Sequence, residues 1–424
     1  MTPKMTNDAK KQSRHLPPGW QWVNLGEICK VDRRLANLQD PEIASLPFLG
    51  MENVESQTGR IISSTLSEDE GEGSFLYGPQ HVLYGKLRPY LNKVVVTDTA
   101  GRCSMELVPL LPQRGFDRHL LAWILRAPST VSSAVKYSTG GRQPRAGMDK
   151  LLELLVPIPG SSENQRTLAA HLDAQMAKVQ RMRQAAERQL EATRAMPGAL
   201  LHRVFRYKEG DVLPTGWRWA RLRDVVSSSI EQCNPANRFD DVFTYIDISS
   251  VDNVSKRIVS PQVLRVPEAP SRARQIVETN DVLVATTRPN LNAVALVPPE
   301  LDGQICSTGF CVLRALREEL ARYIFAYVQS PPFVHAVSAL VQGALYPAIK
   351  DDDVKDCWMS LPPPNEQRTI VARLESQMSV IQRMRQAAEC QMEAVNTLPG
   401  ALLREVFGIF ESPAGSELAG LPSR

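Results

Sequence analysis

The sequence predicts a mixed α/β fold: two globular α/β lobes separated by two long antiparallel helices that form a coiled coil, the whole a pseudo-twofold internal repeat. Three observations predict it. The chain states an ordered set of short motifs twice. Each copy closes on a long segment free of Gly and Pro, whose seam residues step alternately by four and three. Between these segments, short β-type runs are punctuated by Gly, Pro, Asn and Asp.

Size and composition are compatible with this plan. A chain of 424 residues is long enough for two to four domains. At 43% hydrophobic residues it can bury real cores and is not mainly disordered. The net charge of +3 permits nucleic acid as a partner without singling it out. The seven cysteines form no Cys-x-x-Cys pair, which argues for buried free thiols in a reducing compartment rather than zinc. Residues 1–15 are polar and basic, unlike a secretory signal, and are expected to be a disordered N-terminal arm. No run of 18 apolar residues exists, so no membrane span is expected and the protein is expected to be cytoplasmic.

The repeat runs in order. Leu16-Pro17-Pro18-Gly19-Trp20 returns as Leu213-Pro214-Thr215-Gly216-Trp217. Arg88-Pro89-Tyr90-Leu91-Asn92-Lys93 returns as Arg288-Pro289-Asn290-Leu291-Asn292-Ala293, and Cys103-Ser104 as Cys306-Ser307. Residues 165–205 align without gaps on 367–407, more than half of them identical. The expected domains are lobes at 16–160 and 213–362, long helices at 161–206 and 363–410, and a tail at 411–424. Within the lobes, Val94-Val95-Val96 and Val242 to Ile246 read as strands, and His119 to Leu125 and Leu320 to Val328 as helices.

The first long helix is expected to open with a capping box at Ser162 and Gln165. Nothing interrupts it before Pro197-Gly198, nor its copy before Pro399-Gly400. Its seam is Leu168, Leu172, Gln175, Val179, Met182, Ala186, Gln189, Thr193 and Met196. The second seam is Ile370, Leu374, Gln377, Ile381, Met384, Ala388, Gln391, Val395 and Leu398. A strip this narrow suits a partner helix. With Met182 opposite Met384 in an antiparallel pair, Gln175 meets Gln391 and Gln189 meets Gln377, and buried amides would fix the register.

Leu-Pro-x-Gly-Trp opening each half, Arg-Pro-x-Leu-Asn, Cys-Ser, and then Glu163-Asn164-Gln165-Arg166 or Asn365-Glu366-Gln367-Arg368 opening a long helix together resemble the specificity (S) subunits of type I restriction-modification systems. The set covers about residues 16–410; its one departure is Asn164 where the second copy has Glu366. The resemblance implies two target-recognition domains on two antiparallel helices, each domain reading half of a bipartite double-stranded DNA target. It implies two methylation subunits carrying S-adenosylmethionine and ATP-dependent restriction subunits as partners, with no cofactor, ATP, Mg or metal on this chain. About 31 helical residues at ~1.5 Å each extend roughly 46 Å, more than the ~34 Å between half-sites one DNA turn apart.

Cations hold phosphates, and base edges give sequence choice. Lys86, Arg88, Tyr90, Asn92 and Lys93 mix cations with hydrogen-bonding groups on one turn; Arg288, Asn290 and Asn292 repeat it. Shared members suit phosphate positioning, or the shape of the turn itself. Base readers belong where the halves differ. Arg142, Gln143 and Arg145 are the candidates in the first lobe, and Arg265, Arg272, Arg274 and Tyr346 in the second. Arg181, Arg183, Arg383 and Arg385 on the near-identical helices are expected either in a solvated, ion-paired face or in docking two copies of one partner. The chain lacks a P-loop and a Gly-x-Gly-x-x-Gly, and Asn234-Pro235-Ala236-Asn237 lacks the second Pro and the aromatic of an adenine methyltransferase motif. A non-catalytic chain is therefore expected. The alternatives are a two-headed protein-binding scaffold and, more remotely, a single-chain restriction enzyme.

Overall fold

The computed structural model describes residues 16–63, 73–341 and 347–408. The expected arm at 1–15, the tail at 411–424 and Tyr346 lie outside these residues. The chain divides into two compact units, Met1–Ala186 with Gln391–Arg424, and Glu187–Cys390. Each unit therefore contains one lobe and part of both long helices.

In the first unit, the strand order Cys29–Val31, Leu107–Pro112, Val82–Gly85, Val94–Val96 makes an antiparallel sheet. Gly101–Ser104 lies between Phe48–Leu49, parallel to it, and Ser74–Tyr77, antiparallel. Helices Arg118–Arg126 and Pro128–Lys136 follow. The second unit repeats the scheme. Val282–Ala285 lies between Val294–Leu296 and Phe310–Leu313. Ile305–Ser307 lies between Val242–Ile246, parallel, and Ala273–Ile276, antiparallel. Helices Glu318–Val328 and Pro331–Ala339 then pack on it. Cys103 and Cys306 occupy the same place, fully buried in the middle strands. Cys103 and Cys306 contribute apolar packing, and burial pushes the Cys103 thiol up to about 12.

The opening motif closes each lobe. Gly19 and Gly216 take φ of 81° and 84°, which glycine alone adopts without strain. The strand that follows pairs antiparallel with the lobe's last strand, Trp20–Asn24 with Leu155–Pro159 and Arg218–Arg221 with Trp358–Leu361. Each last strand leads into a long helix, Ser162–Val204 or Pro364–Phe407.

Those helices differ from the sequence expectation in their cap and in the burial of their seam. The cap is Ser161, whose hydroxyl accepts from the Asn164 amide at 3.1 Å, while Ser162 donates to the Gly115 carbonyl. Gln165 turns away from the cap and donates to the Pro159 carbonyl at 3.0 Å. Its counterpart Gln367 does the same to Pro362 at 2.7 Å, so this buried glutamine clasps strand to helix in both units. Each helix runs on through its proline, within the expected spans of 161–206 and 363–410. Leu201 and Phe205 beyond Pro197 are buried, with the Phe205 ring edge-on to Tyr323 at 5.3 Å and Tyr327 at 5.5 Å. That packing offsets the backbone bond the proline removes. The seam is buried only in part. Leu172, Val179, Ala186 and Thr193 are buried, as are Leu374, Ala388 and Val395, but Met182 and Met384 are 48% and 42% exposed. Leu168, Gln175, Ile370, Gln377 and Ile381 are half-buried, and Gln189 and Gln391 are exposed, so no buried amide ladder forms. A straight α-helix drifts by ~20° per heptad against a strict 3-4 strip.

Within each unit the start of one helix meets the end of the other. Ala169 and Leu172 share a core with Leu403 and Phe407. Val371 and Leu374 share one with Leu201 and Phe205. Within each unit the two helix segments run antiparallel.

Candidate nucleic-acid interface

The two candidate clusters of the first lobe lie side by side. Leu87 bridges Arg145, the Arg88 amide donates to the Pro144 carbonyl at 2.7 Å, and the Ala146 amide to the Lys86 carbonyl at 2.8 Å. The second lobe builds the same frame: Thr287 bridges Ala348, Arg288 donates to Pro347 at 2.8 Å, and Ile349 to Thr286 at 3.0 Å. A strand end completes each frame, where Lys86 donates to the Glu106 carbonyl and Thr286 to the Gly309 carbonyl, both at 2.9 Å.

The Arg-Pro-x-Leu-Asn motif forms one turn of 3-10 helix, Pro89–Leu91 and Pro289–Leu291. Both arginines are left-handed at φ 50°, although non-glycine residues, especially before proline, disfavour that region. Such strain costs ~1–3 kcal/mol and is held where the surroundings over-determine it. It leaves Arg88, Tyr90, Arg288 and Asn290 exposed above a buried proline. Asn92 and Asn292 are left-handed too, at φ 51° and 47°. Their amides donate to the Arg126 carbonyl at 3.2 Å and the Gln329 carbonyl at 3.4 Å. Both asparagines thus fix the turn, as does Lys93, which donates to the Met51 carbonyl at 2.7 Å.

On this common frame the side chains diverge. In the first lobe Glu106 accepts from Arg145 Nε at 2.9 Å, with Lys86 Nζ at 3.9 Å. At the same three places the second lobe has Gly309, Ala348 and Thr286. Arg142 and Gln143 are exposed beside Arg145. Arg265 is exposed in a 3.5 Å pair with Asp241, Arg272 is exposed, and Arg274 is half-buried against its own strand, donating to the Ala273 carbonyl. None of these three joins the Arg288 frame.

A second repeat, missed in the sequence, lies behind each turn. Val54 bridges Ile61, and Val251 pairs with Ile258, each across a hairpin. Gly59 and Lys256 hold the same place: both are left-handed, and their amides donate to the Glu55 and Asp252 carbonyls. Only the spacing of an acid, a hydroxyl residue, an arginine and an isoleucine could have signalled it. A cation stands at each hairpin, a buried arginine from a neighbouring helix in the first lobe and a half-buried lysine of the hairpin itself in the second. Arg126, whose pKa burial draws down to about 10, donates to the Val94 carbonyl beside Gly59. In the other lobe Lys256 itself donates to the Asn292 carbonyl at 2.5 Å, and Gln329 stands where Arg126 would.

The lobes are also tied to the helices. His119 approaches Asp173 at 3.4 Å, and the matching pair is Arg322 with Glu375 at 2.5 Å. Trp217 of the opening motif donates to Glu366 at 2.7 Å, which accounts for one acid of the helix-opening motif. Among the described residues no group of three or more His, Cys, Asp or Glu is placed to hold a metal, and no helix is long and apolar enough to cross a membrane.

This architecture defines a class: a duplicated protein in which each unit sets one α/β lobe against the start of one long helix and the end of the other. No family model matches the chain. The type I restriction enzyme EcoDI specificity subunit of Escherichia coli is 21% identical over 422 residues, 92% of this chain and 88% of that protein. In fold, a chain from a structure of complex assembly and conformational transition in the type I restriction-modification system matches with a TM-score of 0.76 and 21% identity, over 94% of this chain and 99% of that one. The HsdS subunit from Thermoanaerobacter tengcongensis matches with a TM-score of 0.61 and 22% identity, over 93% and 98%. The chain is similar in sequence to a type I specificity subunit and shares the fold of these solved structures.

Proposed function

We propose that this chain selects the DNA target of a type I restriction-modification complex and catalyses nothing itself. Each lobe reads one half of a bipartite duplex sequence. Two methylation subunits bind the paired helices, and restriction subunits join them; S-adenosylmethionine, ATP and Mg act on those partners. Work on the cell's own DNA sets it in the cytoplasm. One observation carries the reading: two turns with the same backbone bonds bear Lys86, Glu106 and Arg145 in one lobe and Thr286, Gly309 and Ala348 in the other. A shared frame suits phosphate positioning, and unlike side chains suit unlike base sequences.

Selection from a randomised duplex pool, with the methylation subunit present and at two salt concentrations, tests this. The expected product is two short, unlike sequences separated by a fixed unread gap, with binding that weakens as salt rises. Recovery of no sequence, or of one uninterrupted sequence, contradicts it.

A further inference from the structure

We propose that the hairpin at 54–61 is a strut through which the first long helix sets the aim of the turn on its own lobe, with Arg183 and Glu55 as positioning residues, and that the hairpin at 251–258 braces the matching turn through Lys256. The inference rests on the reading above that these turns face DNA, and adds what fixes their direction.

In the first unit the links are continuous. Arg183 Nη2 on the long helix lies 3.5 Å from Glu55 Oε1. The other oxygen of Glu55 accepts from Thr58 Oγ1 at 2.6 Å and Arg60 Nε at 3.2 Å, which sets the hairpin. The tip then holds the turn: the Gln57 amide donates to the Leu91 carbonyl at 2.9 Å, its side chain to the Tyr90 carbonyl at 3.0 Å, and Asn92 donates back to it at 3.4 Å. The carboxyl of Glu55 is held below the usual range, by the Thr58 hydroxyl first and then Arg60 and Arg183, against its partial burial.

The second unit reaches the same end with other atoms. Arg385 stands at the position matching Arg183, where its Nε donates to Glu389 Oε1 at 2.9 Å on its own helix, and Asp252 sets the hairpin by accepting from the Ser255 hydroxyl at 2.6 Å and the Val254 amide at 3.0 Å. The Lys256 amide donates to the Asp252 carbonyl at 2.8 Å, and Lys256 Nζ to the Asn292 carbonyl at 2.5 Å. Hairpin acid, hairpin tip and turn recur in that order, although the tip contact is a glutamine in one lobe and a lysine in the other. The acid and the helix arginine are retained in both halves where the tip chemistry is not, and in the first unit they touch. A reading side chain needs placement to ~0.5 Å, and a turn tied to a 43-residue helix has a fixed reference.

The test uses the full complex and compares binding to the selected target with binding to duplexes changed at one base in either half. Arg183→Ala and Gln57→Ala are expected to lower discrimination roughly tenfold in one half only, and Lys256→Met to do so in the other half. Arg183→Lys, which keeps the charge facing Glu55, is expected to retain most of the discrimination. A merely structural role weakens all duplexes alike and leaves the ratios unmoved. Unchanged ratios, or equal losses in both halves, overturn the strut. A wild-type complex that shows no two-part preference overturns the underlying reading and the strut with it.

Discussion

Arg145 Nε donates to Glu106 Oε1 at 2.9 Å, so the first lobe's base-reading candidate is held on a carboxylate before DNA arrives. The pair is partly exposed and contributes little to stability. On the proposed reading it orients the guanidinium for a bidentate contact with a base. Arg145→Ala is expected to cost ~1–3 kcal/mol of discrimination at one base pair of one half-site. Binding to duplexes varied singly at each position checks this; a uniform loss across all of them would assign Arg145 to phosphate instead.

Arg88 and Arg288 are exposed on identical strained turns, so they are expected to act alike on phosphate. Arg88→Ala and Arg288→Ala should each weaken binding evenly across sequences and reduce the salt slope by about 1. Titrations at several salt concentrations measure that slope.

Gly59 and Arg126 compete for one space. A Cβ at Gly59 would fall 2.1 Å from Arg126 Nη2 and 1.8 Å from the Val94 carbonyl. The second lobe places Lys256 at that position and Gln329 at that of Arg126. Gly59→Lys alone is expected to cost at least ~1–3 kcal/mol from overpacking. Adding Arg126→Gln should recover part of it, and urea unfolding of the single and double variants measures the coupling.

Much of this was legible in the sequence, for a physical reason. Repeats and helix seams are local patterns, so Leu-Pro-x-Gly-Trp, Arg-Pro-x-Leu-Asn and the steps from Leu168 to Met196 could be seen as text. Roles set by long-range neighbours could not. Asn92 reads as a polar candidate for DNA until the Arg126 carbonyl appears beside it. Gln165 reads as half of a capping box until Pro159 claims it. The hairpins were hidden because Gly59 and Lys256 share a backbone shape and no side-chain chemistry.

Burial lowers the Lys256 pKa from 10.5 to about 8, with Asp252 opposing the shift. The folded chain releases this proton at a lower pH than the unfolded chain does. Between about 8 and 10.5 the unfolded state binds more protons, so stability should rise with pH across that window. Lys256→Met is expected to flatten that rise, as read from melting temperatures at a series of pH values.

The most direct measurement is the spacing of methylated adenines in cells carrying the complex, before and after four residues are inserted following Gln175 and Gln377. Four residues add ~6 Å of helix, or about two base pairs at ~3.4 Å each. The account predicts a split motif with a constant gap, and after insertion the same two half-sequences about two base pairs further apart. An uninterrupted motif, or a gap that stays the same length, would contradict it.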